Sequence, residues 1–441
     1  MSMTGRLEEN ALPTAKRFEH RATRLLVFTR IPRPGRAKTR LIPALGARGA
    51  AALQQDMTRR MLEAARQWEL AGPCSTELHI ADGTVDEGKE QFGRSWRITP
   101  QGSGDLGDRL ARAFRSAFDH GNDRVVAVGT DIPRLDARHL LDATAALQHA
   151  DVVIGPARDG GYYLIGMNRF HPRLFEGISW GSEHVFAQTV QRLEEHGLPW
   201  CELPMLCDVD RPEDLDDWHR LMEEEASARR RPGIAVVIPA LDEADQIADT
   251  IESAREGDPA ELIVVDGGSR DGTAEVAAEH GADVWITAPG RARQLNVGLA
   301  ACRAEIVLML HADTRLPSGY GDMVCQAMAE DRHVAGAFRL RFDISSVSLR
   351  LIAWGANRRS TWWQLPYGDQ AIFSKRKTLV DIGGMRDVPM EDYHLMRDLR
   401  RRGRIALLPS AVTTSARKYL EHGPWRTVWH HQKMLLHHRG D

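Results

Sequence analysis

The sequence predicts an α/β protein made of two tandem units, each a mostly parallel sheet flanked by helices. Three observations carry this reading. Short apolar runs at 25–28, 125–128, 234–238, 262–265 and 306–310 alternate with stretches of helical spacing, the pattern of strands joined by right-handed helical crossovers. Several runs end on or just before a carboxylate, at Asp131, Asp266 and Asp313, and open α/β sheets present ligand-binding groups at their strand ends. Between the halves lies a charged stretch, 223–233, that closes on Pro232-Gly233 and holds too few apolar residues to enter a core.

Composition narrows the class. At 441 residues the chain is long enough for two or three domains, each with its own core. A formal net charge of −3 supplies no global pull toward nucleic acid, which is not an expected partner. Five cysteines (Cys74, Cys201, Cys207, Cys302 and Cys325) lack the close pairing of zinc sites. They fit reduced thiols, and with no signal-peptide core and no apolar run near ~18 residues a soluble cytoplasmic protein is expected. The segment 349–363 is rich in Leu, Ile and Trp but interrupted by Arg350, Arg358 and Arg359. It reads as a buried amphipathic helix, with peripheral contact at the inner face of a membrane as the alternative.

Taken in order, residues 1–22 read as a disordered extension and 23–222 as the first domain. Its opening strand at 25–28 runs into a loop holding Arg30, Gly35, Lys38 and Arg40, a charge-rich cradle suited to phosphate. Residues 46–68, with Leu53, Met57, Met61, Leu62 and Ala65 at helical spacing, form a helix over the sheet. A second strand follows at 78–81. The glycine-bearing turn around Asp105 suits approach to a base or ribose, or simply the entry to a helix. Asp131 and Pro133 close the strand at 124–129. Asp159-Gly160-Gly161 joins two strands as a hairpin turn or a substrate-facing loop. Asp210 precedes a helix opened by Pro212; Asp131 and Asp210 together are candidates for one hard cation, with helix capping the alternative for Asp210.

Those motifs in that order (Arg30 to Arg40, Gly129-Thr130-Asp131-Ile132-Pro133, Gly155-Pro156 with Asp159-Gly160-Gly161-Tyr162-Tyr163, and Asp208-Val209-Asp210 with Pro212-Glu213-Asp214) resemble a bacterial glycosyltransferase-like family. It is related to nucleotidyltransferases and associated with arsenosugar biosynthesis. The resemblance spans about 23–223 and implies a GT-A-type domain that binds a nucleotide or nucleotide sugar.

After the linker, 223–232, the second domain occupies 233–441. A strand at 234–238 leads through Pro239 to Glu243 and a helix. The next strand ends in Asp266, followed by Ser269 and Asp271. Asp266 suits hydrogen bonding to a nucleoside, and Asp271 a helix cap or a ligand. Arg291 and Arg293 stand at a helix start, where phosphate contact is favoured. Asp313, in His311-Ala312-Asp313, ends another strand and reads as a ligand for Mg2+ or Mn2+. Asp369-Gln370 and Glu391-Asp392 add further polar groups; alone, two carboxylates opening a helix are ordinary dipole partners.

Val237-Ile238-Pro239 with Glu243, the run 264–273, His311-Ala312-Asp313, Gly368-Asp369-Gln370 and Glu391-Asp392 occur in the order of family 2 glycosyltransferases. The resemblance covers about 233–416 and is nearest the subgroup associated with arsenosugar biosynthesis. It implies a GT-A fold of the nucleotide-diphospho-sugar transferase type, a nucleoside contact at Asp266, a metal on Asp313 and a general base at Asp392 beside Glu391. Pro239, Glu243, Ser269, Asp271, Arg291, Arg293, Asp369 and Gln370 would line the donor site. Asp242 stands where that family usually has Asn, and no Gln-x-x-Arg-Trp segment follows, so a processive polymer synthase is not expected.

The expected function is an inverting, metal-dependent sugar transfer of hexosyltransferase type, from a UDP- or GDP-linked donor to a small-molecule or lipid acceptor. For the first domain two readings stay open: an enzyme, either a nucleotidyltransferase that makes the donor or a second glycosyltransferase, so that the chain is bifunctional; or a non-catalytic module that positions acceptor or partner. A further alternative takes the whole chain as a sugar-nucleotide sensor. Trp425, Trp429 and the histidine pairs at 430–431 and 437–438 read as a solvated helix with aromatic anchors.

Overall fold

In the computed structural model, which describes residues 15–230 and 232–423, the backbone separates into two units, one spanning Phe18–Ala226 and the other beginning at Ser227. The tail histidines and tryptophans expected to form a helix lie outside the described residues, as do residues 1–14. Residues 15–22 are ordered, contrary to the expected extension. Ala15–Arg17 form a short strand, β1, that belongs to the second unit.

Among the described residues the first unit holds seven strands: β2 (Thr23–Arg30), β3 (Cys74–Ala81), β4 (Arg97–Pro100), β5 (Arg124–Gly129), β6 (Val152–Pro156), β7 (Tyr162–Met167) and β8 (Trp200–Glu202). Their order is β4-β3-β2-β5-β7-β6-β8. The strands β4, β3, β2 and β5 are parallel, and β7 reverses between β5 and β6. The helix Ile42–Glu69 buries Leu53, Met57, Met61, Leu62, Ala65 and Trp68, the stripe that its spacing predicts. Residues 223–230, expected as linker, instead continue the helix Leu215–Arg230. Glu, Ala and Arg are good helix formers, and Arg60 and Arg134 hold Glu225 and Glu224 through paired contacts of 2.6–3.0 Å.

On β3, His79 lies flat against Phe28, ring centroids 5.1 Å apart. Burial pushes the imidazole below its ordinary value, with Glu77 pulling it back. A buried neutral His that the unfolded chain can protonate costs stability as pH falls below about 6.5. His79→Phe keeps the stack and removes that proton site, so its urea midpoint should decline less between pH 6.5 and pH 4.5 than the parent's. An unchanged decline would assign the acid sensitivity elsewhere.

The second unit adds β9 (Ile234–Ala240), β10 (Glu261–Asp266), β11 (Asp283–Ile286), β12 (Ile306–Met309), β13 (Thr314–Arg315), β14 (His333–Phe342), β15 (Phe373–Lys375) and β16 (Arg404–Thr414). With β1 they form a sheet in the order β1-β11-β10-β9-β12-β15-β14-β16-β13. The first five are parallel and β15 is antiparallel to both its neighbours. Val236, Val237, Ile238, Ile263, Val264 and Val265 are fully buried, because helices cover both faces of a parallel sheet and its strands therefore read as unbroken apolar runs. The α/β class with mostly parallel sheets is as expected.

One helix departs from expectation. Val347–Trp363 buries Leu349, Ala353, Ala356 and Ser360, while Val347, Leu351, Trp354, Trp362 and Trp363 are 51–65% exposed. The helix is amphipathic in shape but shows its large apolar side chains to solvent. Among the described residues no helix is long and apolar enough to cross a membrane. All five cysteines are free.

Candidate active site

The second unit gathers its predicted residues past the C-terminal ends of β9, β10 and β12. The first two run side by side with Ala240 opposite Asp266 and Pro239 opposite Val265. Asp266 is 1% exposed. One carboxylate oxygen accepts the N–H groups of Gly268 and Ser269 at 2.9 Å each, and the other accepts the Ser269 hydroxyl. Gly268 makes this turn at φ +87°, a conformation glycine takes at little cost.

The loop after β9 is bolted to the loop after β10. Asp242 N–H donates to Ser269 Oγ at 2.9 Å, and the Asp242 carboxylate accepts Arg270 N–H at 3.0 Å. Asp271 accepts the N–H groups of Ala244 and Thr273, both at 3.0 Å. The Thr273 hydroxyl beside it holds the Asp271 carboxyl below the usual carboxylate range. Glu243 pairs with Arg417. Gln294 seals the strand ends, its amide donating to Ala240 O at 2.7 Å and Val265 O at 2.8 Å. The result is a rigid, acid-lined wall in which Ser269 and Asp271 brace Asp266 and its loops.

A second group meets where the turn after β12 approaches the starts of two helices, Arg291–Ala301 and Glu391–Arg400. Arg291 Nε lies 3.4 Å from Glu391 Oε1, and the guanidinium touches His311 Nε2. A Cβ on Gly368 would strike both the Arg291 guanidinium and the His311 ring, so any larger residue at this crossing would displace those two side chains. Its N–H donates to Asp392 Oδ2 at 2.9 Å while Tyr393 N–H donates to Asp392 Oδ1 at 2.8 Å. Both oxygens of Asp392 are thus oriented by backbone in the first turn of a helix, whose partial positive charge favours an anion. Asp369 Oδ1 is enclosed without a hydrogen-bond partner. Burial pushes this carboxyl up to about 6; the Arg359 and Arg291 charges oppose the shift while Asp392 and Asp313 add to it. Asp313, Asp369 and Asp392 therefore share one electrostatic field. Burial also raises Glu391, with Arg291 pulling back.

Two predicted residues are engaged elsewhere. Arg293 turns to Asp387 at 2.9 Å and to Pro289 O at 3.0 Å. Gln370 is fully buried, accepting from Ser360 Oγ at 2.7 Å and donating to Phe338 O at 2.9 Å. One residue was missed: Arg359, whose guanidinium lies 3.5 Å from the centroid of the Tyr367 ring and which is the foremost charge opposing the Asp369 shift. Its only signal in sequence is membership of the Arg358-Arg359 pair.

An oxygen-only donor set of this kind suits Mg2+ or Mn2+. Among the described residues no three His, Cys, Asp or Glu side chains converge closely enough to enclose an ion. Asp313 with Asp369, whose Oδ1 lacks a partner, fits the one or two carboxylates that Mg2+ takes when phosphate and water complete its shell.

The first unit also unites part of its predicted set. Lys38 Nζ stands 2.8 Å from Asp131 Oδ1 and 3.5 Å from Asp210 Oδ1, and it donates to Val209 O at 2.7 Å. Arg40 takes the other Asp210 oxygen at 2.6 Å. The two carboxylates expected to share a metal do converge, but an ammonium occupies their meeting point. As they stand they do not fit a divalent ion there. Burial, then repulsion from Asp159, pushes Asp208 up to about 6, so Asp208, which the sequence offers as part of the Asp208-Val209-Asp210 motif without a site role, stands with this acidic group. Asp159 accepts Gly161 N–H at 2.9 Å, closing the hairpin turn. Gly160 takes φ +87°, and a Cβ there would strike Glu183 O. Asp105 caps the helix Leu106–Asp119, accepting Asp108 N–H at 2.9 Å in a capping box. Arg30 pairs with Asp82 at 3.2 Å, and Gly35 turns the loop at φ +80°; neither is tied to the Lys38 group.

Comparison with known proteins finds a family match within part of each unit. Residues 61–182 match an uncharacterized protein family conserved in bacteria (DUF2064), and residues 235–390 match glycosyl transferase family 2. The glycosyltransferase AglJ of Haloferax volcanii is 35% identical over 82 residues, 18% of this chain and 27% of its own length. An uncharacterized glycosyltransferase of Mycobacterium tuberculosis is 34% identical over 87 residues, 20% of this chain and 39% of its own. The chain thus spans well under half of these curated relatives. Among solved structures, a candidate nucleotide-diphospho-sugar transferase of Desulfovibrio desulfuricans G20 is 34% identical with a TM-score of 0.45, covering 47% of this chain and 91% of that one. Glucosyl-3-phosphoglycerate synthase of Mycobacterium tuberculosis, solved with Mn2+, UDP and glucosyl-3-phosphoglycerate, is 21% identical with a TM-score of 0.32, covering 42% of this chain and 72% of that one.

Proposed function

We propose that the chain, which carries a glycosyl transferase family 2 domain over residues 235–390, moves a sugar from a nucleotide-diphosphate donor to an acceptor hydroxyl with inversion at the anomeric carbon. The observation that carries this is the meeting of the Gly368-Asp369 turn with Asp392 and the Arg291–Glu391 pair, with Asp369 Oδ1 enclosed and without a hydrogen-bond partner. Asp266, braced by its own loop, contacts the nucleoside of a UDP- or GDP-linked donor. Asp313 and Asp369 would hold Mg2+ or Mn2+, which when bound supplies Lewis-acid neutralisation of the diphosphate. Arg291 adds a fixed positive charge for the departing diphosphate, stabilising charge as it develops. Arg293 joins it only on leaving Asp387. Asp392, held by two N–H groups, takes the acceptor proton as the hydroxyl attacks from the face opposite the leaving group.

The test is a hydrolysis and transfer screen of the purified chain against a panel of UDP- and GDP-sugars, with Mn2+, with Mg2+ and with chelator. Turnover with one nucleotide class, lost with chelator, is expected. Asp313→Ala should abolish the metal-dependent part of donor binding and turnover while calorimetric unfolding is unchanged. Donor turnover indifferent to chelator and to Asp313→Ala would remove the metal from the scheme. An arsenic-bearing acceptor in the same screen tests the narrower assignment to arsenosugar synthesis.

For the first unit the Lys38–Asp131–Asp210 group favours nucleotide binding that positions a substrate. Its carboxylates are already neutralised by Lys38 and Arg40. A nucleotidyltransferase would need them free for a metal. The location that follows from these readings is cytoplasmic.

A further inference from the structure

The helix Val347–Trp363 presents one face that the catalytic reading leaves unused. Val347, Leu351, Trp354 and Trp362 stand along it at 65%, 51%, 58% and 65% exposure, with Ile344 at 46% just before it and Trp363 at 58% at its end. Arg358 lies between the two tryptophans, its guanidinium 4.9 Å from the Trp354 ring and 4.6 Å from the Trp362 ring. Arg350 is exposed about two turns before Arg358, and the helix contains no Asp or Glu. Single exposed apolar residues need no explanation, but a contiguous aromatic and aliphatic stripe marks an interaction surface.

From this face we infer that the helix docks on an anionic lipid surface. Tryptophan favours the headgroup level, where an apolar ring meets water. Arginines interleaved with the rings supply a charge complementary to acidic lipids, with their stems lying along apolar surface. Charge weighs against the other occupants. A second copy placing the same face opposite would bring Arg350 and Arg358 toward like charges. The chain's own end, 423–441, is basic as well, with Arg426, Lys433 and Arg439 against Asp441.

Docking there bears on the acceptor, and this step rests on the transferase reading above. From the inward side of the same helix Ser360 Oγ holds Gln370, and Arg359 covers Tyr367 and opposes the shift on Asp369. The loop that carries Asp369 is thus fastened to the back of the docking helix. An acceptor hydroxyl displayed by a membrane lipid would meet the cleft at the bilayer surface.

The test uses the full chain and vesicles of phosphatidylcholine with and without phosphatidylglycerol, read by co-sedimentation and by the blue shift of tryptophan emission. Binding to the anionic vesicles is expected, weakening with added salt. Arg350→Gln and Arg358→Gln should each lower the partition coefficient about fivefold, the effect of one basic residue near an anionic surface. Trp354→Ser with Trp362→Ser should abolish binding while UDP affinity stays unchanged. No partition to either vesicle would overturn the proposal, as would partition insensitive to all four substitutions. Oligomerisation lost in the tryptophan variant would instead assign the face to a second copy. Vesicle binding without transfer to any lipid acceptor would leave the docking face standing and remove only the lipid acceptor.

Discussion

Asp392→Asn is expected to lower the rate of sugar transfer by about 10²- to 10⁴-fold, the usual worth of a positioned general base, with donor affinity little changed. The substitution keeps side-chain shape but removes the proton acceptor. It also has a structural cost that can be separated from the chemical one. Asp392 accepts N–H groups on both oxygens, from Gly368 and Tyr393, whereas an asparagine must turn its NH2 toward one of them. A donor facing a donor in a partly buried turn costs about 1–3 kcal/mol. A modest fall in the unfolding midpoint should therefore accompany a much larger fall in kcat. A variant with parental kcat would eliminate Asp392 as the base, and Glu391, which burial raises, would be the next residue to change.

Lys38→Met should destabilise the first unit by about 1–2 kcal/mol, the worth of a buried donor and partly screened charge pairs. The full cost of breaking a buried pair does not apply, because Asp131 and Asp210, the carboxylates left behind, are 49% and 32% exposed. The lysine side chain itself is only 3% exposed. Its loss leaves two carboxylates facing each other and takes the donor from Val209 O. Hydrogen exchange at β2 and β5 amides would read the change locally. Mg2+ should recover part of the loss in the variant and do little for the parent; equal stabilisation of both would mean that the ammonium does not occupy a cation's place. The variant also separates the readings of this unit. Transfer from ready-made donor should persist in either case. Loss of donor synthesis from sugar phosphate and nucleoside triphosphate would reveal an enzyme.

The sheets were legible because parallel strands buried on both faces leave unbroken apolar runs, as at Val236–Ile238 and Ile263–Val265. The acids at strand ends were legible for the same reason, since Asp266 and Asp313 stop such runs abruptly. What the sequence concealed depends on contacts remote along the chain. Nothing local announces that Lys38 reaches Asp131 and Asp210, or that Arg359 faces Asp369 while Arg358 faces outward. For the helix Val347–Trp363, composition pointed the wrong way. Its buried stripe of Leu349, Ala353, Ala356 and Ser360 has one large apolar residue, because β14 and the Asp369 loop come close, and the larger side chains are left outside. The charged run at 223–232 differs in another way: the two units divide inside it, between Ala226 and Ser227, yet its residues to Arg230 are helical, because they are strong helix formers with arginine partners on the first unit.

The short strand β1 has a consequence for how the chain is made. Ala15–Arg17 pair in parallel with Val284–Ile286 of β11, so a segment that leaves the ribosome first finds its partner only after about 270 further residues. At about 5–20 residues per second of synthesis, it waits on the order of 15–50 s while the whole first unit is completed in between. Once made, β11 is an open sheet edge until β1 docks on it, the kind of surface that recruits other strands. Expressing residues 227–441 alone would make that interim state permanent. A second unit cut free in this way is expected to aggregate through β11, and a peptide carrying residues 12–20 should suppress it.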